Sequence, residues 1–167
     1  MAGSTTLLLN FIAKIWNMLG GPVRRNVTWA AHSKFMHGVS GVILDDKGRI
    51  LLLKHRFWKD QRWGLPGGLA KYGETLGATL KREMREEAAL EVRPLKLIEV
   101  RTTRGRLAEF VLLAEANGEP RPMPPEIIEA RFWAWPEDLP EDLLPSHREF
   151  LRQMPELLKR PGLPAEG

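Results

Sequence analysis

A cluster of acidic side chains on one predicted helix constrains this chain more than any other feature of its sequence. Glu83, Glu86 and Glu87 are spaced i, i+3 and i+4, so a helix brings their side chains together on one patch of its surface. Like charges that close repel each other, and Mg²⁺ or Mn²⁺ would offset the repulsion because both ions prefer carboxylate oxygens as ligands. The same helix, over residues 75–88, carries an apolar stripe that would face the core. The stripe consists of Leu76, Leu80, Met84 and Ala88.

The acidic patch is part of a longer pattern with fixed spacing. Gly68 is followed by Glu74 after five residues, Arg82 and Glu83 come after seven more, and WGLPGG precedes them at residues 63–68. Both elements resemble the Nudix (MutT-like) hydrolase superfamily, whose box reads G-x5-E-x7-R-E-U-x-E-E-x-G-U, with U a bulky aliphatic residue. The remaining acidic and aliphatic positions of the box are filled by Met84, Glu86, Glu87 and Leu90.

Two points qualify the match. Taken alone, the stretch KREMREE is also typical of a solvated helix whose basic residues pair with its glutamates. Gly68 and Glu74 at fixed offsets favour the metal-binding interpretation. Ala89 stands where the family has glycine, just past the predicted helix end, where a left-handed conformation costs alanine roughly 1 kcal/mol relative to glycine. The substitution affects the exit turn and removes no metal ligand.

The resemblance implies both a fold and a reaction. The fold is of the α/β (α+β) class, an α/β/α sandwich with a mixed sheet between helices over about residues 35–160. The reaction is hydrolysis of a pyrophosphate bond in a nucleoside diphosphate linked to another moiety, by attack of water on phosphorus, with Mg²⁺ or Mn²⁺ as cofactor. Arg82 would orient Glu83 by a charge-assisted hydrogen bond, and Glu74 would play a supporting role. The implied metal ligands are Glu83, Glu86, Glu87 and the backbone carbonyl of Gly67.

The family commonly adds an acid from a loop, as a metal ligand or a general base. Glu126 and Glu129, in the sequence PPEIIEARFW, compete for this role. We favour Glu126 because it adjoins prolines in a predicted loop, whereas Glu129 falls in a predicted strand. An ordinary solvated loop acid is the alternative for Glu126.

Substrate contacts are expected just before the box. Arg56 and Arg62, with Lys59 between them, flank Trp58, so the basic side chains would bind phosphates while the indole stacks on a base. A solvated basic loop is the alternative. We interpret His55 as a hydrogen-bonded strand residue rather than a catalyst. The same interpretation is applied to His32, His37 and His147.

Several auxiliary signatures of Nudix subfamilies are absent. The SQPWPFPxS array of NADH hydrolases is missing, as is the proline that marks ADP-ribose hydrolases some sixteen residues after the box. Nucleoside di- or triphosphates, including oxidised ones, remain as substrates by elimination. Two other functions stay open: a Nudix-fold sensor that binds nucleotides without hydrolysing them, and a membrane-surface protein in which the first helix matters most.

The positive charge of the chain is concentrated near its N-terminus. The net charge is +4, yet residues 1–44 contain four basic residues and no acidic one. Because this excess lies mostly outside the segment that carries the box, we expect no nucleic-acid partner. The absence of cysteine excludes disulfides, thiolate metal sites and cysteine nucleophiles. We expect a cytoplasmic location.

The N-terminal segment is predicted to form an amphipathic helix over residues 4–19, ended by Gly20, Gly21 and Pro22. Three roles stay open for it: docking on the domain or in a homodimer, peripheral contact with a membrane, or a cleaved leader. We divide the chain into residues 1–34 (helix and linker), 35–160 (Nudix domain) and 161–167 (tail).

The rest of the chain alternates strand-like runs with turns. Asp45 to Gly48 would close a hairpin, and Pro155 would break or shorten the last helix. The segment at residues 117–125 is predicted to be a loop because it contains four prolines. Predicted strands cover residues 39–44, 49–55, 95–103, 107–116 and 127–135, and predicted helices cover 75–88 and 146–159.

Overall fold

The computed structural model describes residues 2–32, 35–103, 106–159 and 163–164. The chain divides into two units, residues 1–34 and 35–167. The first unit contains α1 (Ala2–Met18), which confirms the predicted N-terminal helix, and α2 (Gly21–Ala31). The prediction of a linker after the first helix was wrong, because Pro22 stands in the first turn of α2, where it favours a helix start. No helix among the described residues is long and apolar enough to cross a membrane.

The described residues of the second unit form one mixed sheet of eight strands. The strand β1 runs parallel to β6, and the other strand pairs are antiparallel. The order is β3-β2-β1-β6-β5-β8, with β4 also paired to β1 and β7 to β2. The strands are β1 Met36–Leu44, β2 Ile50–His55, β3 Trp63–Gly64, β4 Gly67–Leu69, β5 Val92–Thr103, β6 Leu107–Ala116, β7 Ile127–Trp133 and β8 Leu163–Pro164.

Both faces of this sheet are covered by helices. Successive residues of a strand point to opposite faces, so Leu51 and Leu53 pack in the core that contains residues of α3 (Leu76–Ala88). Ile50 and Leu52 pack in the core that contains residues of α4 (Pro145–Lys159). This arrangement confirms the predicted sheet between helices, and it explains why β2 reads as a continuous apolar run.

Several local predictions differ from the structure, and β1 begins at Met36, three residues before its predicted start. Pro155 lies inside α4 and does not end it, since Met154 and Leu157 are buried on either side of the proline and hold the last turns on the sheet. The strand β5 begins at Val92, three residues before the predicted start. The predicted tail contains β8, which pairs with β5.

The helix α3 begins and ends close to the predicted positions. Thr75 caps it by accepting a hydrogen bond from the backbone N–H of Ala78. Ala89 adopts the left-handed conformation expected of the family glycine, with φ 48° and ψ 36°. The backbone N–H of Leu90 then bonds to the carbonyl of Met84, which closes the exit turn.

Candidate functional site

Arg82 organises the acidic face of α3. Its guanidinium donates hydrogen bonds to Glu74 at 2.8 Å and 3.0 Å, to Glu83 at 2.8 Å and to Glu86 at 3.0 Å. It also donates to the backbone carbonyl of Leu69 at 2.9 Å, which ties the loop before the helix to the helix itself. Hydrogen bonds from Arg82 lower the pKa of Glu74 to about 2, so Glu74 is ionised at neutral pH and holds the guanidinium in place. The predicted orienting role of Arg82 toward Glu83 therefore has a geometric basis.

Two glycines allow the acidic face to lie against the end of β4. A Cβ atom at Gly68 would lie 2.2 Å from Oε1 of Glu83, so a side chain there would displace the Glu83 carboxylate. Gly67 has φ +148°, and a Cβ atom there would lie 2.1 Å from the carbonyl oxygen of Val39. The backbone N–H of Gly67 donates to Oε2 of Glu87 at 3.2 Å. The structure thus places the Gly67 backbone, a predicted metal ligand, beside Glu87.

The three glutamates of the patch differ in burial. Glu87 is 6% exposed, Glu83 is half-buried, and Glu86 is exposed and also pairs with Lys71 at 3.6 Å. Burial, followed by the nearby charge of Glu83, raises the pKa of Glu87 to about 8. Burial also raises the pKa of Glu83 despite its bond to Arg82. A bound cation would favour the ionised form of the buried Glu87 carboxyl group, so the donor set fits a divalent metal ion.

The loop after β6 brings Glu126 to the same place. The backbone N–H of Arg56 donates to the carbonyl of Glu126 at 2.9 Å, and Nε of Arg56 donates to the carbonyl of Pro125 at 2.8 Å. At the other end of the loop, the N–H of Met123 donates to the carbonyl of Glu87 at 3.0 Å. These bonds hold Glu126 against the end of β2 and the last turn of α3.

The competing acid lies elsewhere. Glu129 is in β7 and its carboxylate lies 3.4 Å from Nζ of Lys54, with half of the side chain exposed. The structure therefore brings Glu126, and not Glu129, into the neighbourhood of Glu87. The catalytic role of Glu126 stays a prediction.

His55 belongs to the site, which the sequence interpretation missed. It lies at the end of β2 and is 3% exposed, but its Nε2 atom has no hydrogen-bond partner among the described residues, so the expectation of a hydrogen-bonded side chain was wrong. One nitrogen of His55 and one oxygen each from Glu87 and Glu126 lie within 4.8 Å of one another. The imidazole stacks on Trp58, with ring centroids 3.9 Å apart. The sequence around His55 does not predict this cluster, because Glu87 and Glu126 come from distant segments of the chain.

The predicted substrate-binding residues are distributed differently from expectation. Trp58 uses one face to cover His55, and its ring meets that of His147 edge-on at 5.9 Å. Arg56 is bonded to the loop at Pro125, and Arg62 pairs with Asp60 at 3.2 Å. These contacts occupy the side chains that we expected to bind phosphate, and the substrate roles stay predictions.

A cavity of about 580 Å³ opens beside Trp58. One wall holds Glu109, which accepts hydrogen bonds from Ser40 and Arg101 that lower its pKa although burial opposes them. His147 lines another wall, and its Nδ1 accepts a bond from the N–H of Leu65 at 2.9 Å. Burial lowers the pKa of His147 to about 4, so its imidazole is neutral. The remaining lining residues are Phe57, Lys59, Leu107, Leu144 and Ser146.

Comparison with known proteins agrees with this geometry. The sequence model of the NUDIX domain matches residues 34–154. The fold is similar to the crystal structure of a MutT NUDIX hydrolase from Burkholderia pseudomallei, with a TM-score of 0.63 and 29% identity over 72% of this chain and 98% of the other. A NUDIX hydrolase from Nitrosomonas europaea shares the fold at a TM-score of 0.68 and 22% identity, over 79% of this chain and 77% of the other.

Curated relatives match a shorter segment. The chain is 38% identical over 65 residues to nucleoside diphosphate-linked moiety X motif 6 of Xenopus laevis, which covers 38% of this chain and 30% of the relative. It is 33% identical over 81 residues to 8-oxo-dGDP phosphatase NUDT18 of Danio rerio, which covers 48% of this chain and 25% of the relative. The matched segments thus span less than a third of either relative. Since the family match extends over most of the chain and the box residues meet in one site, the chain belongs to the Nudix hydrolase family.

Proposed function

We propose that this protein hydrolyses a pyrophosphate bond in a nucleoside diphosphate linked to another moiety, with Mg²⁺ or Mn²⁺ bound at the acidic face of α3. The family acts on nucleoside diphosphate derivatives. The observation that carries the proposal is the burial of Glu87 beside Glu83 and the Gly67 backbone. Burial and the nearby charge of Glu83 raise the pKa of Glu87, and a bound divalent cation would stabilise its ionised form.

The residues of the site have separate tasks in this reaction. Glu83, Glu86 and Glu87 would hold the metal, which when bound neutralises phosphate oxygens and activates water. Arg82 fixes the rotamers of Glu83 and Glu86 through its hydrogen bonds. Glu126, with 59% of its side chain exposed, is accessible to solvent and would act either as a further metal ligand or as the general base that accepts a proton from the attacking water.

The cavity beside Trp58 is our candidate for the nucleoside part of the substrate. Its volume lies within the range of small-molecule pockets, and its lining combines aromatic side chains with a buried ionised carboxylate. One curated relative is named an 8-oxo-dGDP phosphatase. We therefore propose nucleoside di- and triphosphates, including oxidised ones, as the first substrates to test.

A nucleotide panel assayed with Mg²⁺ and with Mn²⁺ tests the proposal, with phosphate, pyrophosphate and nucleotide products quantified separately. The double variant Glu86→Gln plus Glu87→Gln should lose at least about 10³-fold in kcat/KM, roughly 4 kcal/mol of transition-state stabilisation. Glu91→Gln is the matched control, because Glu91 is an exposed acid paired with Arg85 just past the helix end. Full activity in the double variant, or nucleotide binding without turnover on any substrate, would contradict the enzymatic proposal; the second result would favour a sensor.

A second candidate function concerns residues 2–31. We propose that α1 lies on an anionic membrane surface. Lys14 lies with Asn10 and Asn17 on one narrow face of the helix, and no acidic residue occurs in residues 1–44. From Leu7 to Met18 the remaining residues of the helix are apolar, and the large ones are exposed. The exposed residues are Leu7, Leu8, Leu9, Phe11, Ile12, Ile15, Trp16 and Met18.

Sedimentation of the full chain with vesicles distinguishes the occupants of this surface. We expect binding to vesicles that contain anionic lipid, weaker binding to zwitterionic vesicles, and loss of binding in Phe11→Ser plus Ile15→Ser. Asn10→Ser plus Asn17→Ser is the control on the polar face. A concentration-dependent dimer that ignores vesicles would contradict the membrane proposal and identify a second copy of the chain as the partner.

A further inference from the structure

We propose that His55 is a metal ligand and that it forms, with Glu87 and Glu126, a mixed nitrogen and oxygen site that prefers Mn²⁺ and other transition-metal dications to Mg²⁺. The inference rests on the proposed function only in that Glu87 is shared by the two sets of ligands. The box supplies carboxylates and a backbone carbonyl, whereas an imidazole is a contribution of this chain.

The first support is an unsatisfied atom. His55 is 3% exposed, and Nε2 is one of few buried side-chain polar atoms without a hydrogen-bond partner in the described residues. A buried polar atom without a hydrogen-bond partner costs folding free energy, so such an atom usually binds an ion or a water molecule. A bound cation would satisfy it directly.

The second support is what the imidazole faces. Nε2 lies 3.9 Å from Oε1 of Glu87, and Nδ1 lies 3.9 Å from Oε1 of Glu126. Both distances exceed a hydrogen bond, so the three side chains converge without bonding to each other. The two distances involve different nitrogens of the ring, and a single ion binds one of them; one nitrogen of His55 and one oxygen from each carboxylate lie within 4.8 Å of one another. Octahedral metal ions hold neighbouring ligand atoms about 3 Å apart, so an approach of up to about 2 Å completes the set. Glu126 is the exposed member and can make this movement.

The third support is the fixed orientation of the ring. Trp58 stacks on His55 with an interplanar angle of 17°. On the other side of the site, the backbone bonds of Arg56 and Met123 hold the loop that carries Glu126. The imidazole is therefore preorganised, as the ligands of metal sites usually are.

The protonation state agrees with this geometry. Metal ions bind neutral imidazole. Burial, with a smaller effect of His147, lowers the pKa of His55 to about 4, so the ring is neutral at pH 7. Imidazole suits transition metals better than it suits Mg²⁺, which prefers carboxylate and water oxygens. The consequence is a site whose preference for Mn²⁺ over Mg²⁺ depends on His55.

Pulsed electron paramagnetic resonance of the Mn²⁺-loaded full chain tests this directly. Nitrogen hyperfine coupling of imidazole type should be present in the wild type and absent in His55→Gln. Its absence in the wild type would overturn the proposal, and this result requires no variant to fold. Turnover of nucleotides plays no part in the readout, so the hydrolase proposal and this one can fail separately.

Metal titration of the chelator-treated protein provides the second measurement. His55→Gln should weaken Mn²⁺ binding by at least about tenfold while Mg²⁺ binding changes by less than about threefold. His147→Gln is the control, since His147 is another mostly buried histidine but does not face the carboxylates of this cluster. Equal losses for both metals, or equal effects of the two variants, would contradict a ligand role.

Discussion

The two halves of the site are held together in different ways. Around Arg82, three carboxylates accept hydrogen bonds from one guanidinium, and all four side chains come from residues 74–86. Around His55, the neighbouring carboxylates come from α3 and from the loop before β7, and they leave the imidazole unbonded. In the first half a guanidinium holds the carboxylates by hydrogen bonds, whereas the carboxylates of the second half face the imidazole at 3.9 Å. Arg82 therefore positions two of the proposed metal ligands, Glu83 and Glu86, while the third, Glu87, lies beside His55.

The largest effect should come from the half around His55. Glu126→Gln removes the solvent-accessible carboxylate beside Glu87, and we expect kcat to fall by roughly 10²-fold, because a metal ligand or a positioned general base contributes about that much. Glu129→Gln is the matched control, since Glu129 pairs with Lys54 on β7, and its kcat should change less than about twofold. An equal loss of kcat in the two variants would contradict a specific role for Glu126.

In the half around Arg82, Arg82→Lys should reduce kcat by roughly 10- to 100-fold. A lysine cannot donate hydrogen bonds to Glu74 and Glu83 at the same time. Arg85→Lys is the control: Arg85 is an exposed arginine of the same helix whose hydrogen bonds go to Glu91, outside the site. Its kcat should be nearly unchanged. Steady-state kinetics and thermal unfolding separate lost activity from lost stability. An Arg82→Lys variant with wild-type kcat would show that the network does not position the carboxylates.

The metal-free protein should lose stability as pH rises from about 6.5 to 8. The pKa of Glu87 is raised to about 8 in the folded state, so its stabilising effect is complete below 4.5 and is lost as pH rises through 8. The lowered pKa values of His55 and His147 act oppositely, but only below 6.5. We expect a loss on the order of 1–2 kcal/mol, measured by urea unfolding in chelator.

A matched measurement on Glu87→Gln sharpens this result. The variant cannot titrate at that position, so its stability should change little over the same pH window. Saturating Mn²⁺ should reverse the loss in the wild type, since the ion stabilises ionised Glu87. A wild type whose stability rises with pH in chelator would mean that Glu87 is ionised without a metal.

The smallest effect is on the stability of the protein and concerns the C-terminal end of α3. Ala89→Gly should stabilise the protein by up to about 1 kcal/mol, because Ala89 has φ 48° and glycine adopts that conformation without strain. Ala88→Gly, one residue earlier in the right-handed helix, should destabilise it. Urea unfolding measures both changes. If Ala89→Gly lowers the free energy of unfolding, Ala89 is not strained in its left-handed conformation.

The sequence predicts the first half of the site well because its information is local. Helical spacing alone brings Glu83 and Glu86 within reach of Arg82, and the left-handed turn at Ala89 follows from the position of the helix end. The strands near the predicted ranges follow from short apolar runs bounded by turn residues. The order of strands and helices indicates the sheet between helices, and the family resemblance agrees with it.

The second half could not be predicted in the same way. His55 interacts with Glu87 and Glu126, which lie 32 and 71 residues later in the chain. Its burial is decided by Trp58, which we had assigned to the substrate. Pro155 was misjudged for a similar reason, since burial of Met154 and Leu157 on the sheet outweighs the local cost of a proline in a helix.

Anomalous diffraction from crystals of the full chain soaked in Mn²⁺ tests the central claim most directly. The account predicts a manganese peak at the acidic face of α3, within bonding distance of Glu87 and of at least one of Glu83 and Glu86. A crystal that shows no peak there at saturating Mn²⁺, while the carboxylates are free of lattice contacts, would contradict the account.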